Sequence, residues 1–172
     1  MYFHKELNQS LYCNWQWEDK YHVPTWATAL AVFFTFLSLA TTLVNILILV
    51  ALRRDECLHP PSKLLLYNLT ITDLCAGLIS QPLAVAISSA GIHKSGGEEC
   101  LSMEYSAFFF SAVFSGASSS TVTAISVDRL MALLFGIRYR QVVTVKRVRI
   151  VLFLLWVKNI LVGAVAYWNM KV

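Results

Sequence analysis

Three side chains in this sequence carry chemistry that an apolar setting makes costly. Asp73 lies within Asn68-Leu-Thr-Ile-Thr-Asp73-Leu-Cys-Ala-Gly-Leu78, Arg129 follows Asp128 at the close of a second apolar run, and Trp156 sits in a third. A carboxylate near the middle of a membrane helix costs about 2.5–3.5 kcal/mol on insertion scales, so such a group faces other protein or a hydrated cavity, where it pairs or binds ions. A buried indole N–H needs an acceptor. The chemistry on offer is therefore ion binding or polar pairing at Asp73, a charge at the end of a span at Arg129, and cross-helix hydrogen bonding at Trp156.

Long apolar segments must position these groups. Hydrophobic residues make up 57% of the chain and charged residues 14%, and no Lys, Arg, Asp or Glu falls between Lys20 and Arg53. That interval exceeds the roughly 20 residues a membrane helix requires. Four spans are predicted, at about 26–52, 64–90 with Asp73, 105–135 ending near Asp128 and Arg129, and 150–168 with Lys158. Residues 1–25 are expected to form an extracellular tail and 169–172 a truncated extracellular end. The predicted fold class is all-α, an integral membrane helical bundle. One such block alone would also suit the core of a soluble globule, but four leave almost no surface for water. Met1-Tyr-Phe-His-Lys5-Glu6 lacks the basic start and short apolar run of a signal peptide, so the first span is expected to direct insertion.

Orientation follows from Lys and Arg, whose excess marks cytoplasmic loops. Arg53, Arg54 and Lys63 flank the first loop, and Arg138, Arg140, Lys146, Arg147 and Arg149 crowd the third. The second loop holds only Lys94, offset by Glu98 and Glu99. The N-terminus is thus expected outside, in a multi-pass protein of the plasma membrane. Asn8-Gln-Ser10 then becomes a lumenal glycosylation sequon, whereas Asn68-Leu-Thr70 matches the same pattern inside a span. The net charge of +4 reads as a topology signal among membrane lipids and carries no nucleic-acid footprint.

Of the four cysteines, only Cys13 and Cys100 meet an oxidising compartment in this topology, and they can pair with each other or with a partner elsewhere. Neither the cysteines nor the four histidines show metal-ligand spacing, so no structural metal is expected. The sequence has no phosphate-cradling glycine loop and no credible Ser/His/Asp arrangement, so no enzyme is expected. Gly96-Gly97 reads as a turn.

The third span has a helical stripe. Arg129 lies eighteen residues after Ser111 and eleven after Ser118, close to five and three turns, so Ser111, Ser115, Ser118 and Arg129 share one side. Such a stripe is either a packing face of small residues or the wall of a hydrated pocket. Lys158 requires a carboxylate, a carbonyl or a route to water, and the sequence assigns it no partner.

These residues, taken in order, resemble the rhodopsin-like, or class A, G-protein-coupled receptors from about Trp26 to Trp168. Leu43-Val44-Asn45-Ile46-Leu47 is similar to the family's Gly-Asn pattern, with Val44 for the glycine. Asn68-Leu-Thr-Ile-Thr-Asp73-Leu resembles its Asn-Leu-Ala-x-x-Asp-Leu signature, and Pro82 lies where a proline kink often occurs. Asp128-Arg129-Leu130 is close to Asp-Arg-Tyr, and Trp156 falls where the fourth-helix tryptophan belongs. Each motif alone is weak, and the combination, one per span, carries the resemblance.

The resemblance implies four helices of a presumed seven-helix receptor, which passes an extracellular ligand's signal to a heterotrimeric G protein. It places Asp73 with Asn45 and Ser118 in a hydrated polar core that often holds a sodium ion, the one cofactor-like group implied. It makes Arg129 a switch restrained by Asp128 and released toward the G protein, where the plainer reading is an arginine marking the membrane boundary. Trp156 would donate to Asn68 with Thr121 nearby, and Ser111 and Ser115 would line the ligand pocket. Ser111 stands where amine receptors carry an aspartate, which disfavours a monoamine ligand. Cys100 lies about one turn further from Arg129 than the family's extracellular cysteine, with Glu104 nearer that place, so the family disulfide does not carry over directly. A chain ending at Val172 is expected to be either part of such a receptor or a truncated four-helix protein that acts as a scaffold or partner of full-length receptors.

Overall fold

The computed structural model describes residues 25–56, 58–90 and 98–171, all of the regular elements being helical. The predicted N-terminal tail, with Asn8 and Cys13, lies outside the described residues, as do Cys57 and the side chain of Cys100. The helices are α1 (Thr25–Arg54), α2 (Pro60–Cys75), a π-helical segment (Ala76–Ser80), α3 (Gln81–Ala90), α4 (Glu98–Phe135), a 3-10 turn (Gly136–Arg138), α5 (Tyr139–Val142) and α6 (Val145–Lys171). Four segments, Thr28–Arg54, Pro60–Ile87, Ser102–Phe135 and Val145–Met170, are long and apolar enough to cross a membrane. The chain is a multi-pass membrane protein.

The helices run past the predicted spans. The second starts at Pro60 rather than 64, the third at Glu98 rather than 105, and the fourth at Val145 rather than 150. Lys146, Arg147 and Arg149 therefore lie on the first turns of α6, and Glu98 and Glu99 on the first turn of α4, not in loops. The physical reason is that charge marks where hydrocarbon ends, whereas backbone hydrogen bonding continues through the interface. At 38 residues, α4 is about 57 Å long and exceeds the roughly 30 Å hydrocarbon core, so it tilts or projects beyond it.

Helix ends follow local sequence. Pro60 and Pro61 occupy the first helical positions of α2, where a missing N–H costs nothing. Arg53 and Arg54 close α1 against the negative end of its dipole. Gly136, with φ of 47°, takes the left-handed conformation that stops α4. Thr144 opens α6, its carbonyl accepting from the Val148 N–H at 3.1 Å.

Pro82 acts through the π segment. The Gln81 N–H bonds back to the Ala76 carbonyl, and position 82 has no N–H to offer, so the Gly77 carbonyl loses its partner within the helix. Ser38 on α1 supplies one, its Oγ donating to the Gly77 carbonyl at 2.7 Å. The approach requires a glycine, since a Cβ at position 77 would stand 2.9 Å from Thr42 Oγ1.

α4 is the central strut, packed along α2 and α6, while α1 lies against α2 and α3. Leu65, Tyr139, Val143, Val148 and Leu152 form a buried cluster that joins α2, α5 and α6 at one end of the bundle. Outward-facing residues such as Leu39, Phe153 and Leu133, the last 83% exposed, form the apolar exterior a bilayer requires.

Candidate functional site

Three polar centres are spaced along the interface of the second, third and fourth spans. The first is Asp73, at the last turn of α2, where Ser118 Oγ on α4 donates to Asp73 Oδ1 at 2.7 Å. Asn45 is buried, but its Nδ2 donates to the Thr41 carbonyl of its own helix at 2.8 Å, and the structure records no hydrogen bond between Asn45 and Asp73. A carboxylate joined to a hydroxyl offers hard oxygen ligands, the class that alkali and alkaline-earth cations prefer.

The second centre is a directional chain across three helices. Trp156 Nε1 donates to Asn68 Oδ1 at 2.9 Å, Asn68 Nδ2 donates to Thr121 Oγ1 at 2.8 Å, and Thr121 Oγ1 donates to the Ala117 carbonyl at 2.7 Å. Thr121 is almost wholly buried, at 1% exposure. Phe114 meets the Trp156 ring edge to face at 6.5 Å, which holds the indole in place. In an apolar medium each unmet donor would cost several kcal/mol, so the chain fixes the rotation of three helices about their axes.

The third centre lies at the end of α4. Asp128 is buried, with Ser62 Oγ donating to Oδ2 at 2.7 Å and Tyr139 Oη donating to Oδ1 at 2.5 Å. The two hydroxyls lie 3.2 Å apart, and the His59 ring packs on Tyr139 with centroids separated by 5.2 Å. Burial raises the Tyr139 phenol above its ordinary value, and the bond to the Asp128 carboxylate raises it further, against smaller opposing effects from Ser62 and the Arg129 charge. Arg129 itself is exposed. The expected pairing of Asp128 with Arg129 thus gives way to a clamp on Ser62 and Tyr139, because two hydroxyls satisfy a buried carboxylate without burying a second charge. Neither Ser62 nor Tyr139 stands out in the sequence. The usable signal is a lone tyrosine within the basic third loop, eleven residues after Asp128.

The serine stripe divides. Ser118 reaches Asp73, whereas Ser111 and Ser115 are exposed on α4. Lys158 donates to Ser120 Oγ at 3.1 Å, and the neighbouring Asn159 is buried with its Nδ2 on the Leu155 carbonyl at 2.7 Å. Among the described residues no group of three or more His, Cys, Asp and Glu is placed to hold a metal ion.

A family model described as 7 transmembrane receptor (rhodopsin family) matches residues 44–172. Olfactory receptor 1500 of Rattus norvegicus is 30% identical over a match covering 80% of this chain and 41% of the relative. Adenosine receptor A3 of Ovis aries is 30% identical, with 74% and 39% covered. 5-Hydroxytryptamine receptor 1B of Homo sapiens is 26% identical, with 84% and 36% covered. The chain spans about two fifths of the length of the curated relatives it matches.

Proposed function

This chain belongs to the rhodopsin family of seven-transmembrane receptors, and on that basis we propose that it contributes the first four helices of a receptor coupling an extracellular ligand to a heterotrimeric G protein. The observation that supports this most directly is the clamp on Asp128, which satisfies the carboxylate with hydroxyls and leaves Arg129 exposed beside it. Asp128 is the acid next to Arg129, an exposed cation near the end of α4 that would meet a cytoplasmic partner. Rearranging Ser62 or Tyr139 would free that carboxylate to pair with Arg129, a two-state element that a ligand can bias through differential contacts.

In this reading the protein lies in the plasma membrane with its N-terminus outside, since the basic residues cluster at Arg53, Arg54 and Lys63 and from Arg138 to Arg149. Asp73 and Ser118 are the oxygen donors that would hold a sodium ion, which would tie the second span to the third. Asn45 would offer such an ion its Oδ1, since its Nδ2 donates to the Thr41 carbonyl. Ser111 and Ser115 would face the ligand. One relative is a 5-hydroxytryptamine receptor by name, but Ser111 offers no carboxylate to an ammonium, which disfavours a monoamine ligand. No observed contact and no relative favours the alternative of a self-sufficient scaffold.

The test is nucleotide exchange. Expressed in one membrane with the last three helices of a receptor of this family, the chain should support exchange on a G protein. Arg129→Ala should abolish it while Arg140→Ala, an exposed cation nearby, leaves it intact. Equal effects of the two substitutions would reduce Arg129 to a boundary charge.

A further inference from the structure

Lys158 belongs to none of the three centres. It is the middle residue of the 27-residue α6, about 20 Å from either end at 1.5 Å per residue. With α6 centred in the bilayer, the nearest headgroups are about 15 Å away, which a four-carbon stem does not reach. The ammonium has three N–H donors, and one of them goes to Ser120 Oγ. The side chain is otherwise exposed on the outside of the bundle.

Its surroundings have a pattern. Val151, Leu154, Lys158, Leu161, Val165 and Trp168 are spaced alternately three and four apart, and the apolar five are 45%, 59%, 59%, 61% and 67% exposed. That spacing matches the a and d seam of one helix lying along another, within a wider exposed apolar face that also holds Phe153, Val157 and Val162. The opposite face of α6, with Val148, Leu152, Asn159 and Gly163, is already buried. A single lysine at such a position sets register and partner at a cost in stability. In hydrocarbon the cost is met by pairing.

We propose that this seam docks a transmembrane helix carrying one Asp or Glu at the depth of Lys158, the ion pair fixing its register. Charge complementarity selects that occupant. A second copy of this chain does not supply the carboxylate among its described residues. Asp73 and Asp128 are bonded inside the bundle, and Glu104 lies sixteen residues, about 24 Å, along α4 from Ser120. The inference goes beyond receptor coupling.

The experiment uses the chain in neutral phosphatidylcholine vesicles with a labelled leucine-rich helix of about 25 residues, enough to span, bearing Glu, Gln or Leu at its centre. Energy transfer should report association of the Glu helix about tenfold tighter than that of the Leu helix, the scale of polar contacts between membrane helices. Lys158→Arg should keep this preference, and Lys158→Gln, which retains a donor for Ser120 and so guards against misfolding, should remove it. Moving the lysine off the seam, as Val157→Lys with Lys158→Val, should also remove it. Equal binding of all three helices, or full binding to the displaced lysine, overturns the proposal. Loss of Glu-helix binding on adding a few per cent phosphatidylserine would make a lipid headgroup the occupant and overturn it as well.

Discussion

Tyr139 donates to Asp128 from the far side of the turn that ends α4, so one phenol ties the third span to the segment leading into the fourth. Ser62 completes the arrangement from α2, and the carboxylate is satisfied without Arg129. The acid and the cation that adjoin in sequence therefore have separate surroundings, one buried and one exposed.

Tyr139→Phe keeps the ring on His59 and removes one donor from a buried carboxylate. A hydrogen bond to a charged group contributes about 1.5–3 kcal/mol, and its loss should loosen the segment it anchors. Hydrogen exchange at residues 139–143 should accelerate while the middle of α6 is unchanged. Unaltered exchange would mean that Ser62 alone holds Asp128.

The same phenol gives a pH dependence with a definite sign. Its folded value lies above the ordinary 10.0, so between the two values the folded state binds more proton than the unfolded one, and stability falls as pH rises. The contribution is complete below about pH 10 and is lost as pH climbs through the raised value. Phenolate absorbance should include a late-ionising component that Tyr139→Phe deletes. A titration identical in the variant would place the late tyrosine elsewhere.

Trp156→Phe retains the packing on Phe114 but strands Asn68 Oδ1, and Thr121→Val strands Asn68 Nδ2. Each should destabilise the bundle by about 1–2 kcal/mol, the scale for polar contacts between membrane helices. Because both act through Asn68, a double-mutant cycle scored by unfolding in mixed detergent should show coupling. Simple additivity would mean that the two bonds are independent.

The bundle itself is legible in the sequence because four charge-poor runs admit few other folds. The need of Trp156 for an acceptor is equally legible, since an indole N–H cannot stay unmet in hydrocarbon. What escapes is whatever depends on helix rotation or register. Lys158 meets Ser120 only once the facing sides of α4 and α6 are known. Pro82 announces a bend, but not the π register or the Ser38 hydroxyl that serves the Gly77 carbonyl. Tyr139 sits among arginines in a short segment with no periodicity to expose its inward face. The helices begin several residues before the predicted spans, at Pro60, Glu98 and Val145, for a related reason, because charges stop the apolar run before they stop the helix.

Topology is open to a direct measurement. The distribution of Lys and Arg predicts that residues 138–149 face the cytoplasm and the Asn8 sequon the lumen. Glycosidase should shift the mobility of the wild-type chain and not that of Asn8→Gln. A tag inserted after Arg140 should be cleaved by protease added from the cytosolic side. A protected tag would invert the arrangement and remove Arg129 from any cytoplasmic partner.

Gly116 and Asn159 offer the sharpest test of how α4 and α6 meet. A Cβ at position 116 would lie 2.5 Å from Asn159 Oδ1 and 3.2 Å from its Cγ, so Gly116→Ala must displace a buried amide. That amide bonds the Leu155 carbonyl at 2.7 Å, and turning it away forfeits the bond. The expected cost is about 1–3 kcal/mol, typical of overpacking. With Asn159→Ala the obstacle is gone, and alanine's helix propensity, about 1 kcal/mol better than glycine's, should make Gly116→Ala neutral or stabilising. Gly163→Ala is the control. Its Cβ would stand 2.6 Å from Val113 Cγ2, and a β-branched side chain in a helix has almost no second rotamer to adopt. Its cost should persist whether or not Asn159 is present. Unfolding in mixed detergent reads all of these variants, and a Gly116→Ala penalty of the same size in both backgrounds would mean that backbone, not Asn159, sets the spacing of the two helices.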